Sequence, residues 1–78
     1  MKLIVLGTGC SKCKTLHTNL LQAVYEMGIT AEVSKVEDIQ EILQYEVFAL
    51  PALVRDGQVI ATGLLSKQAI INLLTPTT

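Results

Sequence analysis

The residues with the clearest chemistry are the two cysteines, Cys10 and Cys13, in the run Cys10-Ser11-Lys12-Cys13. At the start of a helix, residues spaced i to i+3 share a face, and their Cα atoms lie close enough for a disulfide to bridge. Such a bridge closes a very small loop. It removes little entropy from the unfolded chain and makes a poor staple, so its use is to open and close without refolding. Cys10 falls where unpaired backbone N–H groups and the positive end of a helix favour a thiolate, the species that attacks in exchange. Cys10 is therefore the natural nucleophile. Lys12 and Lys14 put cations in the first helical turn, where they oppose the macrodipole. A local rule broken beside reactive residues points to function, and both charges can stabilise the Cys10 thiolate; Lys12 is assigned to that role, while Lys14 has the alternative of pointing to water.

These residues need a strand and a helix to hold them. Lys2 to Leu6 is a continuous apolar run ending at Gly7-Thr8-Gly9, which predicts a strand buried on both faces and hence central in a sheet. Leu16, Leu20, Leu21, Val24 and Met27 repeat at helical spacing and Gly28 offers a stop, which predicts a helix from Ser11 to Met27. Thr30 to Val36 reads as a second strand. Glu37-Asp38 suits a helix N-terminus, and Ile39, Ile42 and Leu43 make a shorter helix. After Leu50-Pro51, Ala52 to Arg55 and Gln58 to Ala61 are strands joined by Asp56-Gly57, a strong two-residue hairpin signal. Gly63 ends the hairpin, Ser66 is a candidate N-cap, and Ala69, Ile70, Leu73 and Leu74 give a last helix its apolar face. The order is β-α-β-α-β-β-α. A right-handed crossover makes the first two strands parallel, giving an α/β domain with a four-stranded mixed sheet and three helices. Residues 1–74 form one domain and residues 75–78 a short tail.

Half the residues are hydrophobic and 17% are charged, the balance of a compact domain and not of a disordered segment. A formal charge of -1 with scattered Lys and Arg leaves no basic face for nucleic acid or an anionic membrane. The N-terminal apolar run is shorter than a signal-peptide core and nothing approaches a bilayer span, so the expected location is the cytoplasm. Stable structural disulfides are uncommon there, which again turns the cysteine pair toward chemistry. Gly7 to Thr15 also superficially suggests a phosphate loop, ending Lys14-Thr15. It has one residue too many and carries Cys13 where that loop needs a Gly.

The run Gly7-Thr8-Gly9-Cys10-Ser11-Lys12-Cys13, the Leu50-Pro51 step, Asp56-Gly57 and Gly63 together resemble the small archaeal and bacterial thioredoxin-like proteins called redox-active disulfide proteins. The resemblance covers essentially the whole chain. It implies a minimal thioredoxin or glutaredoxin-like fold, with Cys10 as the attacking and Cys13 as the resolving thiol. It also implies that Pro51 is a cis-proline facing the disulfide and that the backbone at Leu50 pairs with the substrate peptide. Thioredoxins proper carry a Trp before the first Cys and a buried acid six residues before it, where this chain has Gly9 and Ile4. They have Gly-Pro between the cysteines, where this chain has Ser11-Lys12.

The expected activity is thiol-disulfide exchange with protein or small-molecule disulfides, with no cofactor beyond the Cys10–Cys13 disulfide and no metal. Its expected partners are a disulfide-containing protein and a recycling thiol reductase or small thiol, and the protein is expected to act as a monomer. The alternatives are a soft-metal protein for Cu(I) or Zn, which two thiolates also suit, and a thioredoxin-fold adaptor without activity. Chain order opposes the metal reading. A heavy-metal-associated domain follows its first helix with two strands, a helix and a final strand, and carries a Met where Thr8 stands. His17, one helical turn after Cys13, has the spacing of a base or a metal ligand but is more simply a helix-surface residue. Tyr25, Tyr45 and Phe48 are assigned to core or groove.

Overall fold

The computed structural model describes residues 1–9, 11–47 and 49–75. Its elements are β1 (Lys2–Leu6), α1 (Ser11–Met27), β2 (Glu32–Val36), α2 (Ile39–Leu43), β3 (Ala52–Arg55), β4 (Gln58–Thr62) and α3 (Lys67–Leu74). The four strands form one sheet in the order β2-β1-β3-β4. β1 is parallel to β2 and antiparallel to β3, and β3 is antiparallel to β4. This is the mixed four-stranded sheet with three helices expected from the sequence.

The pleat of β1 divides its apolar residues between two cores. Leu3 and Val5 pack with Leu16, Leu20 and Ala23 of α1 and with Ile70 and Leu74 of α3. Leu6 lies on the opposite face with Ile42 of α2 and with Ala52 and Val54 of β3, and Ile4 packs against that group. Because β1 is covered on both faces it needs no polar alternation. Leu3, Leu6, Leu16, Leu20, Ile42, Leu53 and Ile70 are fully buried, each stabilising the fold by about 1.5–3 kcal/mol in transfer terms.

Local chemistry sets the ends of the elements. Asp56 and Gly57 both have positive φ, 51° and 85°, the backbone of the primed turn that matches strand twist in a two-residue hairpin. Asp38 caps α2 by accepting a hydrogen bond from the Gln40 N–H, and Ser66 caps α3 by accepting from the Ala69 N–H. The second strand starts at Glu32, later than the expected Thr30. The parallel ladder opens with Lys2 opposite Glu32, and β1 offers Thr30 no partner. The fourth strand runs one residue past Ala61 because Thr62 pairs with Ala52. Between these, Leu53 pairs with Ala61 and Val54 with Val59, so Ile60 is an extra residue that bulges β4.

Tyr25 departs from its assigned place. It is 87% exposed, on the outer face of α1 beside Leu21, one helical turn away. Tyr45 is half-buried against the α2-side core, and Phe48 lies outside the described residues. Among the described residues no helix is long and apolar enough to cross a membrane.

Candidate functional site

The site grows from one end of the sheet. β1 and β2 are parallel and both finish there, at Leu6 and Val36, and the Gly7 N–H donates to the Val36 carbonyl at 3.0 Å, continuing the pairing into the loop. The antiparallel β3 begins at the same end, with Ala52 opposite Leu6. The loop from Gly7 therefore leads into α1 beside the Leu50–Pro51 step. Gly9 turns the chain with φ +89°, a conformation suited to glycine.

Cys13 is buried in the first turns of α1. Its side chain lies on the α-carbon of Gly7. A Cβ added at Gly7 would overlap the Cys13 sulfur and stand 2.8 Å from Cys13 Cβ. The glycine is thus a contact surface for the thiol and lets the helix start close to the sheet. Cys10 lies outside the described residues. Lys12 and Lys14 are exposed, and α1 has no acidic residue in its first turn to offset them.

A pocket of about 310 Å³ opens beside Cys13, lined by Gly7, Thr8, Gly9, Lys14, Lys35 and Glu37 together with Val5. Parallel pairing explains its composition. Val5 is in register with Lys35, so both face the α1 side of the sheet, and Gly7 and Glu37, each two positions further on and just past the strand ends, line the same space. The Lys35 ammonium is 3.7 Å from Glu37 Oε1, with both side chains about half exposed. The other carboxylate oxygen of Glu37 lies 3.5 Å from where a Gly9 Cβ would stand. His17, half-buried on α1, is held below its ordinary imidazole pKa by desolvation and, second, by the positive charge of Lys35.

The Leu50–Pro51 peptide bond is cis. Pro51 is fully buried, Leu50 is partly exposed, and the Pro51 carbonyl accepts from the Gly63 N–H at 2.6 Å. Neither residue lines the pocket beside Cys13. A larger hollow of about 630 Å³ between the end of α2 and the Asp56-Gly57 hairpin, lined by Glu41, Tyr45 and Glu46 among others, holds no thiol among the described residues.

The structure thus joins Gly7, Lys14 and Cys13, which the sequence singled out or bracketed, with Lys35 and Glu37, which it did not. Strand-end position was the available signal, because side chains that follow parallel strands at their carboxyl ends converge on the ligand crevice in open α/β sheets.

Residues 1–75 match the family model described as Thioredoxin domain. A protein named Thioredoxin from Methanothermobacter thermautotrophicus is 40% identical over 75 residues, covering 95% of this chain and 97% of the relative. A second protein of that name, from Methanocaldococcus jannaschii, is 41% identical over 59 residues, covering 76% of this chain and 67% of the relative.

Proposed function

Because the chain belongs to the thioredoxin-domain family, we propose that it is a thiol-disulfide oxidoreductase in which Cys10 and Cys13 exchange with disulfides of proteins or small molecules. The observation that carries this reading is the placement of Cys13, buried in the first turns of α1 and seated on Gly7 beside an open pocket. A thiol so buried is shielded from outside disulfides, while the i to i+3 spacing of the two cysteines suits an internal bridge. That division supports Cys10 as the attacking thiol and Cys13 as the resolving one.

In the reaction, Cys10 thiolate attacks a substrate disulfide and forms a mixed disulfide, and Cys13 displaces the second substrate thiol to leave the Cys10–Cys13 disulfide. Lys12, exposed in the first turn of α1, favours the Cys10 thiolate. Leu50 and Pro51, at the same end of the sheet, form the place where a substrate peptide lies. The Cys10–Cys13 disulfide carries the redox chemistry, and a thiol reductase or small thiol returns it to the dithiol. The protein works as a cytoplasmic monomer.

Trapping tests the assignment. With Cys13→Ser the mixed disulfide lacks an internal thiol to release it, so partners accumulate on Cys10 and come off with reductant. With Cys10→Ser no covalent partner accumulates. Equal trapping by both variants, or none by either while the wild type remains active, would overturn the roles.

A further inference from the structure

A resolving thiol must lose its proton before it attacks, and burial disfavours the thiolate of Cys13. Position 4, where thioredoxins proper carry a buried acid, is Ile4, which packs against the apolar core on the α2 side. The proton needs another destination. Among the described residues, the titratable groups that share the pocket with Cys13 are Lys14 from α1, Lys35 at the end of β2 and Glu37 just after it. His17, also on α1, sits close enough to Lys35 to feel its charge. Of these pocket-lining groups, Glu37 brings a carboxylate, whose oxygens can accept a proton, whereas an ammonium has donors and no acceptor.

We propose that Glu37 is the proton acceptor for Cys13 in the resolving step. The placement supports it from two sides. Glu37 follows β2 directly as Gly7 follows β1, both line the pocket with Cys13, and the Cys13 side chain lies on Gly7. One carboxylate oxygen is turned to Lys35 and the other to Gly9, the residue before Cys10. The pocket's volume of about 310 Å³ also accommodates a water to bridge carboxylate and thiol, since a water's share of liquid volume is about 30 Å³. Lys14 and Lys35 line the same space and favour the thiolate once it forms.

This role rests on the exchange reaction proposed above. Cys10 thiolate attacks one substrate sulfur, a Cys10–substrate bond forms, and the substrate disulfide breaks to release the first thiolate. Cys13 then gives its proton to Glu37 and its sulfur attacks that of Cys10. The Cys10–substrate bond breaks, the Cys10–Cys13 bond forms, and the second substrate thiolate leaves and takes the proton from Glu37. Two electrons pass from the cysteine pair to the substrate disulfide.

The two releases can be timed separately by mixing the reduced protein with dithiobis(nitrobenzoate), whose thiolate is coloured. The first release reports Cys10 and the second reports Cys13. At neutral pH the ratio of second to first rate should fall by about a hundredfold or more in Glu37→Gln, the low end of what a positioned base contributes. Glu37→Asp should be intermediate, and Glu32→Gln, at the opposite end of β2, should match the wild type. The difference should close at alkaline pH, where hydroxide removes the thiol proton unaided. A ratio unchanged by Glu37→Gln, or lowered equally at every pH, would overturn the role of Glu37. If the wild type releases only the first thiolate, or Cys13→Ser releases both, the resolving role of Cys13 falls, and the proposed function with it.

Discussion

Cys13 and Gly7 share one contact surface: the cysteine side chain occupies the space where any other residue at position 7 would place its Cβ. The helix can approach the sheet only as far as this pair allows, so the position of the thiol depends on the absence of a methyl group opposite it. Gly7→Ala should destabilise the domain by about 1–3 kcal/mol, the usual effect of overpacking. Chemical denaturation checks this. In a double-mutant cycle, Gly7→Ala combined with Cys13→Ala should cost less than the sum of the two single changes, because losing the sulfur removes the tighter overlap and leaves only the Cβ contact at 2.8 Å.

Leu53 lies at the centre of the sheet on β3 and is fully buried against the α1 and α3 core. Leu53→Ala should lower stability by about 2–5 kcal/mol through lost transfer energy and the cavity left behind. For a chain of this size that is a large share of the total. Urea unfolding should show a reduced midpoint.

His17 couples stability to pH. Desolvation, and then the charge of Lys35, hold the folded imidazole below its ordinary value of 6.5, so below that value the unfolded chain binds more protons than the folded one. The stability tied to neutral His17 is therefore fully present above 6.5 and declines as the pH falls below it. Relative to the wild type, His17→Gln should lose less stability between about pH 7 and about pH 5. Lys35→Met should raise the imidazole titration point in an NMR titration, since it removes a like charge.

Lys12 is exposed in the first turn of α1, so its influence on Cys10 should be modest and sensitive to salt. Lys12→Gln should slow attack on a model disulfide roughly two- to fivefold at low ionic strength. The difference should vanish near 1 M salt, where the screening length is about 3 Å.

The frame of this site was legible wherever local periodicity specified it. The unbroken apolar run Leu3 to Leu6, the helical spacing of Leu16, Leu20 and Met27, and Asp56-Gly57 each named their element because every local preference agreed with the fold. Glu37 and Lys35 were not legible as neighbours of Cys13. They reach it through a parallel crossover, and only the register of Val5 against Lys35 brings them to the same pocket. Glu37 reads instead like an acid serving a helix N-terminus, a role that Asp38 fills as the cap of α2 and Glu41 in its first turn. Tyr25 was misplaced for a related reason. An aromatic residue in a helix with an apolar stripe suggests burial, yet the stripe that meets the sheet is Leu16, Leu20 and Ala23, and Tyr25 stands clear of it.

The central position of β1 bears on how the chain matures during synthesis. β1 leads the described residues, yet it is hydrogen-bonded on one side to β2 and on the other to β3, whose last residue is Arg55. Asp56 locks the arrangement, donating its N–H to the Lys2 carbonyl and accepting from the Lys2 N–H through its side chain. A nascent chain emerging at about 5–20 residues per second must therefore carry the apolar Leu3-Ile4-Val5-Leu6 run with at least one open edge until the hairpin clears the ribosome. During that interval this segment is the one most in need of shielding from other chains.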